Sequence, residues 1–207
     1  MKPTVKSNKF LLVLSSFALV VILLIFILIH PKGKIEKIPQ SEDVEYTKNI
    51  LKNSDFEKND LSPWIIEFEI NQANYCFLDN LVKYSGKTSL NISSEKMDLN
   101  GIRNLQVTQS IRDFPRDKKL ILNGYIRTEF VDKAFLQVML YNIKDSLLAC
   151  ASTDTLSGTN NWTFLTTWVR TQNPELSKIK IACVLQGKGR VWFDKLELYP
   201  VNIKYGL

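Results

Sequence analysis

Gly187-Lys-Gly-Arg-Val-Trp-Phe-Asp-Lys-Leu-Glu-Leu198 lies close to the C-terminal end of the 207-residue sequence. Two glycines mark a turn, and a β-prone run of alternating character follows. Asp194 stands inside that run, directly after two aromatics. Strands disfavour Asp, and a buried carboxylate must be paired or bind a metal. The stretch reads as the closing strand of a β-sandwich. Asp194 then either reaches a cation or lies exposed on an edge.

Strand-like runs recur from Asn49 onward and no long helical period appears. Such spacing predicts an all-β sandwich. Trp64-Ile-Ile-Glu-Phe-Glu-Ile70 alternates, with Trp64, Ile66, Phe68 and Ile70 on one face and Glu67 and Glu69 on the other. Further runs cover residues 75–78, 88–92, 105–111, 147–152, 162–169 and 179–186. Two strands read as central. In the first, Leu120, Leu122 and Ile126 share a face, and Asn123, Tyr125 and Arg127 share the other. In the second, Leu136, Val138 and Leu140 oppose Phe135, Gln137, Met139 and Tyr141. The apolar sets must face the core. If both strands lie in one sheet, Tyr125, Arg127, Gln137 and Tyr141 meet on one outward surface. Trp162 and Trp168 share parity with Phe164 and read as core.

Residues 10–29 form a twenty-residue run without charge. As a helix it would span about 30 Å, the thickness of a bilayer core. It is longer than the apolar part of a signal peptide and ends in Ile-Leu-Ile-His-Pro rather than in small residues. It reads as an uncleaved anchor, with residues 1–9 inside and the rest of the chain extracytoplasmic. Residues 30–47 are charged, carry prolines and read as a tether. The domain is expected over 48–200, with a short tail at 201–207.

The net charge is +6, but no run of basic residues exceeds Lys118-Lys119, so a nucleic-acid stripe is not expected. The only histidine is His30, which excludes a His base in the globular part. Cys76, Cys150 and Cys183 contain no CxxC pair. Cys150 and Cys183 flank the strand opening at Trp162 and are either a pair across the sandwich or two buried thiols. Glu67 and Glu69 lie about 7 Å apart along a strand, a separation known among glycosidases, but a solvated strand face explains them. No enzyme is expected.

Several motifs now fall in order: Asn53-Ser-Asp-Phe-Glu57, Pro63-Trp64, Tyr84-Ser-Gly-Lys-Thr-Ser-Leu90, Gln109-Ser-Ile111, Leu122-Asn-Gly-Tyr-Ile-Arg127, Trp162, and the closing Gly187 stretch. In this order they resemble the carbohydrate-binding modules of families four, nine and twenty-two. The resemblance covers about residues 49–199. It implies a galactose-binding-like jelly roll that binds a glycan through aromatic rings. It also implies a structural Ca²⁺ held by the side chains of Glu57 and Asp194, with carbonyls from near Asp55 and Lys87. The sequence departs from the family where a second acid often follows the first, because Lys195 stands there. Tyr125, Arg127, Gln137 and Tyr141 are the candidate ligand residues, since a sugar site needs flat apolar faces rimmed by donors. The competing reading is an envelope ectodomain that binds a protein partner or has a structural role without binding sugar.

Overall fold

The computed structural model describes residues 45–46, 48–67, 75–94 and 104–202. The expected anchor at 10–29, the tether up to residue 44, Phe68, Glu69, Ile70 and the end of the tail lie outside these residues. Among the described residues there are ten strands: β1 (Glu45–Tyr46), β2 (Ile65–Ile66), β3 (Cys76–Asp79), β4 (Ser89–Ser93), β5 (Asn104–Ile111), β6 (Lys119–Asn142), β7 (Leu147–Ser152), β8 (Leu156–Arg170), β9 (Leu176–Gln186) and β10 (Arg190–Asn202).

The two central strands expected from the sequence are one strand of 24 residues, β6. Its first half pairs with β10 and β8, and its second half pairs with β9 and β7. Hydrogen bonding therefore runs through both layers, and β6 changes layer partway along. The first layer is β3-β4-β10-β6-β8, and the second is β2-β5-β9-β6-β7.

The change of layer happens near Phe130, whose φ is +50°. The glycines of the closing stretch explain how it is accommodated. Gly189 has φ +114°, and a Cβ there would lie 2.5 Å from the Phe130 carbonyl oxygen and from Val131 Cα. The turn also clasps the corner directly. Asp132 N–H donates to the Lys188 carbonyl at 2.9 Å, and Lys188 N–H donates to Asp132 Oδ2 at 2.9 Å. Only glycine gives the close approach that this corner requires.

Alternation on β6 follows from the two-residue period of a strand. Leu120, Leu122 and Ile126 in the first layer and Leu136, Val138 and Leu140 in the second join one core with Phe56, Leu90, Ile92, Ile181, Phe193 and Leu198. Fully burying side chains of this size contributes about 1.5–3 kcal/mol each. Parity on β10 is reset by a bulge between Asp194 and Glu197, where Lys195 has φ +50°. Leu196 thereby turns inward over Gly124, where a Cβ would meet its Cδ2 at 2.3 Å. Trp192, Asp194, Glu197 and Tyr199 are left on the outer face, beside the outward residues of β6.

Cys76 and Cys183 are buried in the core, whereas Cys150 is exposed on β7, and all three are free. Neither alternative for Cys150 and Cys183 holds as stated: they do not pair, because the two side chains lie on opposite faces of the second layer, and only Cys183 is a buried thiol.

Candidate ligand-binding face

Hydrogen-bond register defines the outer face of the first layer. Asp194, Tyr125 and Phe164 form one cross-strand row. The next rows are Glu197, Asn123 and Thr166, then Tyr199, Ile121 and Trp168. The expectation that Trp162 and Trp168 are core fails here. Trp168 is 50% exposed and Phe164 49%, while Leu165 and Val169 of the opposite parity fill the interior. Among the described residues strand β8 pairs only with β6, so there it is an edge whose outer side chains have one flanking strand.

A loop completes this face. Tyr84, on the connection between β3 and β4, lays its ring on Tyr125 with centroids 3.6 Å apart and planes 13° from parallel. Trp162 meets Tyr84 edge-on at 5.9 Å, and Phe164 tilts against Tyr125 at 5.3 Å. The neighbouring phenol of Tyr84 pushes the Tyr125 hydroxyl above its ordinary pKa. Tyr125 is half-buried, so Tyr84 and Phe164 present the open ring surface at this end. Thr166 Oγ1 donates to Asn123 Oδ1 at 2.7 Å, placing a polar pair between Phe164 and Trp168. Trp168 lies four positions along β8 from Phe164, about 13 Å. Sequence reading missed Tyr84 as a ligand candidate, because its partner on β6 is far away in the chain. Its only local signal was the Ser-Gly turn that follows it.

The loop is held by the two acids expected at a metal. Asp194 is fully buried, and its Oδ2 accepts N–H bonds from Tyr84 at 2.8 Å and Ser85 at 3.0 Å. Its Oδ1 accepts from Lys195 N–H at 2.7 Å. Glu57 Oε1 accepts from Lys87 at 2.7 Å and Thr88 at 3.1 Å. Gly86 lies between these contacts at φ +64°, and a Cβ there would come within 2.2 Å of Glu57 Oε1. The Lys87 and Thr88 amides hold the Glu57 carboxyl below its ordinary pKa. Burial pushes Asp194 up, against its three amide donors, and the charge of Glu57 adds to the rise. A Ca²⁺ here must compete with five amide donors. Among the described residues no three His, Cys, Asp or Glu side chains gather as a ligand set. Glu57 Oε2 accepts none of these amides, so it is the oxygen best able to turn to a cation.

The four candidate ligand residues do not come together. Tyr125 and Arg127 lie on the outer face of the first layer, while Gln137 and Tyr141 lie on the outer face of the second. The layer change inside β6 separates them. Arg127 sits 5.8 Å from the centre of the Trp192 ring, whose indole N–H donates to Asp79 at 2.8 Å. Gln137 Nε2 donates to Ser152 Oγ at 3.1 Å. Tyr141 packs on Met139, Ala182 and Val184, with the Lys178 ammonium 4.8 Å above its ring. Glu67 is occupied too, accepting from Lys180 and from Thr108, each at 2.9 Å.

No protein-family model matches the sequence, and no curated protein matches it. Solved structures do. An enzymatically active domain of tailspike protein 4 from bacteriophage CBA120 is 13% identical over 73% of this chain, with a TM-score of 0.57. This chain spans only 21% of the tailspike domain's length. The CBM22-2 xylan-binding domain of Paenibacillus barcinonensis Xyn10C is 10% identical over 71% of this chain and 97% of its own, with a TM-score of 0.54. The module TmCBM61, solved with β-1,4-galactotriose, is 14% identical over 74% of this chain and 99% of its own, with a TM-score of 0.52. A Stig cyclase from Fischerella is also similar, so the fold is not confined to sugar-binding modules. The described domain has the all-β jelly-roll fold of the family 22 and family 61 carbohydrate-binding modules.

Proposed function

We propose that this domain is a non-catalytic carbohydrate-binding module and that its glycan lies on the outer face of the first layer. The observation that carries the reading is the line of open rings, Tyr84 and Phe164 at one end and Trp168 at the other, with Asn123 and Thr166 between them. Sugar rings stack on such flat apolar surfaces, and polar groups between them orient hydroxyls. Tyr125 supports Tyr84 from beneath, and Arg127 lies at the margin. Gln137 and Tyr141 are not part of this surface. Structural neighbours that bind xylan or galactotriose support the reading. A non-catalytic role is favoured because Glu67 is engaged by Lys180 and Thr108, and because His30 is the only histidine.

The proposal includes the setting. Residues 10–29 anchor the chain in a membrane with residues 1–9 inside, residues 30–47 form a tether, and residues 48–200 stand outside as the domain. Ca²⁺ bound through Glu57 and Asp194 fixes the Tyr84 loop. Full-length protein should stay in the membrane fraction after alkaline carbonate washing, and protease outside intact cells should reach the domain. A soluble mature form starting near residue 31 would overturn the anchor.

The alternative is a protein-binding or structural ectodomain. It is favoured by Tyr84 covering a face of Tyr125, which removes one stacking surface from the sugar. A broad glycan array probed with the full-length protein in detergent separates the two. Binding to a defined glycan class supports the module, and no binding by folded protein supports the alternative.

A further inference from the structure

We propose that the Trp168 end of this face selects an anionic sugar residue, carboxylated or sulfated. The inference rests on the carbohydrate-binding reading and adds the chemical class of ligand. Lys119 on β6 and Arg170 on β8 are direct cross-strand partners. Like charges placed opposite one another destabilise a sheet. The Lys119 ammonium lies 4.8 Å from the centre of the Trp168 ring, and the Arg170 guanidinium lies 5.9 Å from it. Contact with a ring attracts a cation but leaves its charge unneutralised. Among the described residues neither cation makes an ion pair with a carboxylate. Of the acids this face carries among the described residues, Asp194 is buried under its three amide donors, and Glu197 is level with Asn123, four residues along β6 from Lys119 and so about 13 Å along the strand. Two unneutralised cations thus flank a half-exposed indole at the end of an aromatic platform. A sugar stacked on Trp168 brings an acidic substituent within reach of both. Arg170 can take a carboxylate or sulfate through paired N–H donors, with Lys119 as a point charge beside it.

The test uses full-length protein in detergent and titrates it with four probes. These are oligogalacturonate, a sulfated galactan oligomer, a neutral β-1,4-galactan oligomer of equal length, and polyglutamate. One or both anionic glycans should bind about tenfold or more tighter than the neutral one, and raising salt from about 50 to 500 mM should erase most of the advantage. Preference between the two anionic probes assigns the carboxylate or the sulfate. The Lys119→Ala/Arg170→Ala double variant should bring anionic affinity down to the neutral level, with its melting temperature checking that it folds. Trp168→Phe, which keeps a ring, should retain the preference. Equal binding of neutral and anionic glycans, or an anionic preference surviving the double variant, would overturn the inference and leave the module reading standing. Polyglutamate binding as tightly as the anionic glycans would overturn it by showing charge attraction without sugar recognition. No glycan binding at all would overturn the module reading as well.

Discussion

The carboxylate of Asp194 accepts the backbone N–H of Tyr84 at 2.8 Å, and Tyr84 spreads its ring over Tyr125, the cross-strand neighbour of Asp194. A buried acid on the closing strand thus fixes the position of an open ring on the proposed ligand face. Asp194→Asn would turn an amide NH₂ toward donors that need an acceptor. Leaving a buried donor unsatisfied costs about 1–3 kcal/mol. The variant should melt lower by a corresponding amount and bind glycan more weakly, because Tyr84 is released. Unchanged melting would show that the loop is held by other contacts.

The thiols give a direct check of the sandwich. Burial pushes Cys76 up to about 12 and Cys183 well above its ordinary value, with the neighbouring Cys76 adding to the latter. Cys150 is exposed. A thiolate-selective reagent on native protein should therefore label one cysteine quickly, and Cys150→Ser should abolish that labelling. Denaturant should then reveal two more. Fast native labelling of Cys183 would contradict the layer assignment of β9.

Much of the fold was legible because it rests on alternation. The core sets on β6 and the turn at Gly187 follow from residue period and turn chemistry, whereas the sequence left Asp194 either at a cation or exposed on an edge, and the structure buries it under the Tyr84 loop. The continuity of β6 was not legible. Its corner at Phe130 contains no glycine or proline, since the glycine that makes room for it, Gly189, lies on the partner turn. The site was misjudged for the same reason, as parity fixes a side of a strand but not the layer to which the strand belongs. Parity also failed on β8, where Trp162, Phe164 and Trp168 oppose Leu165 and Val169. Both faces are apolar in sequence, and hydrophobicity favours the larger set as core. The smaller residues are the ones inside, because β8 is an edge strand that turns its rings outward.

The acids predict a pH signature and a metal test. Glu57 has a folded pKa below its unfolded value, so its stabilisation is present above about pH 4.3 and is lost as pH falls through the folded pKa. Asp194, raised chiefly by burial, acts oppositely: stability falls as pH rises from about 3.9 through its folded pKa. Glu57→Gln should therefore flatten the acid limb of the melting curve below about pH 4. At neutral pH, Ca²⁺ should raise the wild-type melting temperature and chelator should lower it. Both Glu57→Gln and Asp194→Asn should lose that response. A wild-type transition indifferent to chelator would leave the five amide bonds as the whole of the clamp.

The ligand face yields the prediction on which function turns. Phe164 and Trp168 are half exposed on an edge strand, so truncating them removes little core packing. Phe164→Ala and Trp168→Ala should each weaken glycan binding by about 1–3 kcal/mol, the scale of an anchoring aromatic, with melting nearly unchanged. Tyr84→Ala should do the same, and Tyr125→Ala should act more strongly on stability because its ring carries Tyr84 and touches Phe164. Tyr141→Ala is the decisive contrast, because Tyr141 belongs to the outer face of the other layer, on Met139, Ala182 and Val184. If the first layer carries the ligand, Tyr141→Ala leaves glycan affinity intact. If Tyr141→Ala abolishes binding while Phe164→Ala and Trp168→Ala do not, the ligand lies on the second layer. The open rings of β8 would then need another partner, and a protein surface would be the first to test.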